Sequence, residues 1–98
     1  MRDSDINIVS NFLSRMGMYI CPSERETVVS FLTGYELGTD GLCTFTDTMS
    51  NILAEKYRIK RYATGWPDQL ERFAEKSKMN WIQGFELVAS EALNEFSN

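Results

Sequence analysis

Trp81-Ile82-Gln83-Gly84-Phe85-Glu86-Leu87-Val88-Ala89-Ser90-Glu91-Ala92-Leu93-Asn94-Glu95-Phe96 decides the fold class. Its apolar side chains fall at Trp81 or Ile82, Phe85, Val88, Ala89, Ala92, Leu93 and Phe96, steps of three and four. A strand would alternate every second residue, so this stretch predicts one long amphipathic helix. Asn80 stands before it with Gln83 three residues on, the spacing of a reciprocal N-terminal cap.

The same period recurs towards the N-terminus. Trp66-Pro67-Asp68 predicts a helix start, because proline suits the first helical position and an acid suits the positive end of the helix dipole. Leu70, Phe73 and Ala74 make that helix short, with Lys76-Ser77-Lys78 as the break after it. Phe45, Met49, Ile52, Leu53 and Tyr57 form another stripe, begun by a cap at Thr44-Phe45-Thr46-Asp47. Between these two helices, residues 58–65 alternate charged and apolar side chains, as a short extended piece would, and Gly65 ends it.

Ser23-Glu24-Arg25-Glu26 has the pattern of a capping box, followed by Val28, Phe31, Leu32 and Tyr35. Gly34 interrupts that helix and implies close packing or an early end, and Gly38-Thr39-Asp40-Gly41 is a turn. Ile6, Val9, Phe12, Leu13 and Met16 make the first helix, capped by Asp3 or Ser4 and stopped by Gly17. The expectation is an all-α, single-domain bundle of about five helices over residues 1–98. No repeat or low-complexity tract interrupts it.

The 98 residues suffice for one core, and 43% apolar with 24% charged side chains describes a folded globular chain. No apolar stretch approaches the roughly 18 residues of a membrane span, and the N-terminus lacks a signal peptide's basic start and apolar run. A cytoplasmic protein is expected, with Cys21 and Cys43 free and each buried as a small apolar side chain.

Catalytic chemistry finds little to work with. The chain has no histidine, which removes the usual general base and the Ser–His and Cys–His pairs. Two isolated cysteines make no zinc cage, and neither GxxxxGK[ST] nor GxGxxG occurs. Glu71 with Glu75 and Glu91 with Glu95 would share helix faces, but as solvated surface charge beside bases. No catalytic residue, metal site or cofactor is expected, and the chain is read as a non-enzyme.

Net charge is −4, unevenly placed. Residues 1–55 hold eight acids against three bases, and residues 56–78 hold seven bases against three acids. Lys56-Tyr57-Arg58-Ile59-Lys60-Arg61-Tyr62 interleaves cations with aromatics, a pattern that can pair phosphates and stack bases. Flanking acids repel a phosphate backbone, so nucleic acid is not the expected partner. An acidic whole is instead compatible with a basic one.

Four runs carry a family likeness: Phe31-Leu32-Thr33-Gly34-Tyr35-Glu36-Leu37-Gly38; Ala54-Glu55-Lys56-Tyr57; Ala63-Thr64-Gly65-Trp66-Pro67-Asp68-Gln69-Leu70; and Asn80-Trp81-Ile82-Gln83-Gly84-Phe85. Over roughly residues 28–93 the chain resembles the small immunity proteins of bacterial contact-dependent growth inhibition and related polymorphic toxin systems. The resemblance implies a cytosolic protein that binds a cognate toxin C-terminal domain, often a nuclease. It would block the toxin's active site or its substrate or cofactor surface.

The family supplies no site residues, so the expected contact face comes from charge and position. Tyr35, Glu36, Asp40 and Asp47 gather about the Gly38–Gly41 turn, and Tyr62 and Trp66 flank a second break where they join the same surface. Gly65-Trp66-Pro67 has a structural alternative, with Trp66 filling the core. The rival function is a small regulatory or adaptor domain that binds a host protein, or a nucleic acid through residues 56–62.

Overall fold

The fold comes from a computed structural model, which describes residues 1–96; Ser97 and Asn98 lie outside the described residues. Six helices follow in order: α1 (Asp3–Ser14), α2 (Met16–Tyr19), α3 (Arg25–Gly38), α4 (Phe45–Glu55), α5 (Trp66–Lys76) and α6 (Trp81–Phe96). Among the described residues there is no strand, so the all-α expectation holds, with one single-turn helix added to the five longer ones. Among the described residues, no helix is long and apolar enough to cross a membrane.

The long C-terminal stripe organises the molecule. α6 lies against α1, α4 and α5, burying Phe85, Val88, Ala89 and Ala92. Val9 and Phe12 from α1, Val28 and Leu32 from α3, Met49 and Leu53 from α4, and Leu70 and Phe73 from α5 complete one core. Phe12 ties α3 to it by stacking on Phe31 at 4.3 Å between ring centroids. Gly84 lets α5 and α6 approach closely, since an added Cβ would stand 3.2 Å from Ala74 Cβ.

Helix ends depart from expectation where a remote or reversed partner supplies the cap. Asn80 and Gln83 do form the reciprocal box: Gln83 N–H donates to Asn80 Oδ1 at 2.8 Å, and Asn80 N–H to Gln83 Oε1 at 3.0 Å. Helix α3 starts one residue later than the Ser23 box implies. Glu24 is its N-cap, and Glu24 N–H donates to Thr27 Oγ1 at 3.1 Å. Arg2, not Asp3 or Ser4, precedes α1, because the carboxylate that serves this end is Asp5.

Gly17 is not the stop. The first helix breaks at Arg15 (φ −136°, ψ 47°) and resumes for one turn that buries Met16. Gly34 neither ends α3 nor packs closely; a Cβ there would meet open space. Residues 58–65 make no strand, since no other strand among the described residues pairs with them; Ile59 plugs into the core and Gln69 holds the backbone there. Cys43 is buried as expected, but Cys21 is exposed because it lies on the α2–α3 link; both are free.

Candidate protein-contact surface

The turn between α3 and α4 is locked by polar side chains from both helices. Thr39 N–H and Asp40 N–H cap the last carbonyls of α3 at 3.2 Å each, and Leu42 N–H closes onto Thr39 O at 3.1 Å. Asp40 (φ 52°) and Gly41 (φ 82°) both have positive φ, as the central pair of a type I′ turn requires and as Asp-Gly supplies. Thr39 Oγ1 donates to Glu36 O and accepts from Cys43 N–H at 3.1 Å.

Glu36 completes the lock. Its carboxylate accepts the Thr46 N–H at 2.9 Å and the Thr46 hydroxyl, satisfying an amide that α4 leaves unpaired at its start. Thr44, the N-cap residue, makes no side-chain bond of its own. Sequence reading finds the turn but not this bond, because a cap supplied from ten residues away leaves no local pattern.

On this rigid corner two leucines face solvent. Leu37 is 74% exposed and Leu42 55%, either side of Asp40. Upstream, Ser30, Thr33, Gly34, Leu37 and Gly38 are all exposed at helical spacing, so one face of α3 is a stripe without charge. Exposed Glu26 lies at one end of that stripe, and Asp40 and Asp47 lie at the other. The result is an uncharged strip with acids at its ends, and with little side chain at Gly34 and Gly38 to keep another backbone away.

The expected contact residues therefore separate. Asp40 and Asp47 are exposed at the turn. Glu36 is half-buried and occupied by Thr46. Tyr35 is half-buried as well, its hydroxyl donating to Asp5 Oδ1, and burial beside that carboxylate pushes its pKa to about 12. Trp66 is half-buried against Trp81 and Phe85, with centroids 5.9 and 6.2 Å away, so it serves the core. Gly65 (φ 95°) makes the sharp entry to α5, and Trp81 Nε1 donates to Pro67 O at 3.1 Å. Tyr62 lines a different feature, a groove between residues 58–62 and α5.

Leu37 and Leu42 are what sequence reasoning missed. Leu37 sits two residues past Tyr35 on a helix whose other apolar residues turn inward, and its angular position was the available signal. Among the described residues, no three or more Cys, Asp or Glu side chains are placed to hold a metal ion. No family model, curated protein or solved structure matches the chain.

Proposed function

We propose that this chain is an immunity protein, which neutralises a cognate toxin domain by docking the α3 stripe and the α3–α4 turn onto it. The observation that carries the docking surface is the pair of exposed leucines flanking Asp40 on a turn held from both sides. Apolar anchors on a pre-organised backbone lose little entropy on binding. The acids at the ends of the strip favour a basic partner, speeding encounter and rejecting wrong ones. A toxin that handles RNA or DNA presents such a basic surface.

The identity of the partner rests on the sequence resemblance, and the non-catalytic reading on the lack of histidine and of a recognisable nucleophile or phosphate-binding motif. The direct test is co-expression with the toxin domain encoded beside this chain's gene, scored by growth and by co-purification. The unaltered chain is expected to rescue growth and to co-purify with the toxin domain. Leu37→Asp with Leu42→Asp is expected to lose both while keeping its melting temperature. Rescue by the double variant would remove this surface, and failure of the unaltered chain to bind would favour an adaptor role.

A further inference from the structure

A groove of about 810 Å³ runs between residues 58–62 and α5. It is independent of the toxin-binding reading and lies on the basic stretch of the chain. Three acids line it, which in sequence argue against an anionic ligand. In the structure each of them already holds a cation. Asp68 accepts from Arg25 and from the Thr64 hydroxyl, and these two bonds hold its carboxyl below the usual range. Glu71 pairs with the same Arg25 at 3.2 Å, and Glu75 with Arg72 at 3.7 Å.

Arg58, Lys60 and Lys76 line the same groove and, among the described residues, have no such partner. Arg58 is held at φ 60°, a left-handed conformation that disfavours any residue but glycine. Half-buried Tyr62 adds an aromatic ring to the lining. Three free cations and a ring in one open groove match a phosphodiester chain, whose charges need neutralising and whose bases need a flat apolar face.

We propose that this groove binds single-stranded nucleic acid, with phosphates at Arg58, Lys60 and Lys76 and a base against Tyr62. The groove is open at the surface, so the chain can pass along it. Duplex is disfavoured because the rest of the protein is acidic and a rigid double helix cannot confine itself to one groove.

The test is fluorescence anisotropy of a labelled ten-nucleotide oligouridylate with the full chain, repeated between 50 and 200 mM salt. Neutralising three phosphates on a single strand predicts a slope of log affinity against log salt of about −2. Arg58→Gly should lower that magnitude by roughly 0.7 while raising thermal stability, since glycine relaxes the backbone there. Tyr62→Ala should weaken binding about tenfold.

Lys60→Glu with Lys76→Glu should abolish binding, with melting curves confirming the fold. The proposal is overturned by no binding at 50 mM salt, by binding unchanged in the double variant, or by displacement by polyglutamate as readily as by unlabelled oligonucleotide. The last would assign the groove to an acidic peptide. Equal displacement by inorganic phosphate would reduce it to a simple anion site and also overturn the proposal.

Discussion

The phenol of Tyr35 on α3 donates a hydrogen bond to Asp5 Oδ1 on α1, joining two helices across a sequence separation of 30. Asp5 is fully buried, and Arg2 meets the same carboxylate with Nε on Oδ2 and Nη2 on Oδ1, both at 3.0 Å. The buried charge is therefore matched by a cation and a hydroxyl, which lowers the Asp5 pKa to about 2. A group whose pKa is depressed on folding adds stability above its ordinary value and loses it as pH falls through the folded value. Stability should accordingly drop between about pH 4 and pH 2. Asp5→Asn should cost about 2–3 kcal/mol at neutral pH, and its gap from the unaltered chain should close across that window.

At the alkaline end the sign reverses. The Tyr35 pKa is raised, so its contribution is complete below about pH 10 and fades towards the folded value of about 12. Tyr35→Phe should lower stability by about 2 kcal/mol and remove that alkaline loss. Chemical denaturation across the pH range reads both ends. A Tyr35→Phe variant as stable as the parent would show that the phenol does not satisfy Asp5.

Gln69 is the polar counterpart in the second half of the fold. It is 1% exposed; Nε2 donates to Ser50 O at 3.1 Å and Ile59 O at 3.0 Å, and Oε1 accepts from the Ser50 hydroxyl at 2.7 Å. One side chain thus pins α4, α5 and the strandless segment between them. Gln69→Leu keeps the volume but strands the Ile59 carbonyl, which lies outside any helix, at an expected cost of about 1–3 kcal/mol. Amide exchange should accelerate in residues 58–62 before the rest of the chain.

These interactions mark the limit of what the sequence displays. Core stripes such as Phe85, Val88, Ala89 and Ala92 are legible because burial repeats with the helical period. Asp5 reads as a first-turn acid and Gln69 as one more polar residue, since Tyr35 and Ser50, which meet them, are distant in sequence. The same is true of Glu36, which looks like free surface charge and in fact caps α4 through Thr46. At the candidate surface, the Asp40-Gly41 turn was readable from its residue types. The outward aim of Leu37 depends on the packing rotation of α3, which local spacing constrains only weakly.

The end of α5 gives a further test of backbone strain. Met79 N–H reaches Ala74 O at 2.9 Å and Lys78 N–H reaches Glu75 O at 3.2 Å, the paired bonds of a Schellman ending. Lys78 occupies its left-handed position at φ 58°, where glycine is preferred. Lys78→Gly should raise stability by about 0.5–1 kcal/mol. If Lys78 instead had ordinary helical φ, the same change would destabilise, so the sign of the melting shift settles the geometry.

Gly34 separates stability from binding most cleanly. It lies inside α3 with nothing within 4 Å of an added Cβ, so packing within the fold does not require glycine there. A helix-interior glycine costs about 1 kcal/mol relative to alanine, so Gly34→Ala should raise the melting temperature by roughly 4–8 °C. The same methyl group would stand on the uncharged stripe beside Leu37, in the path of a partner's backbone. If the stripe docks a toxin domain as proposed, affinity for that domain should then fall about tenfold, comparable with the 1–3 kcal/mol of overpacking a close-fitting contact. A variant that is both more stable and a weaker binder would show that the stripe trades stability for close approach. If stability rises and affinity stays constant, Gly34 lies outside the interface, and the contact must be sought around Leu42 and Asp47.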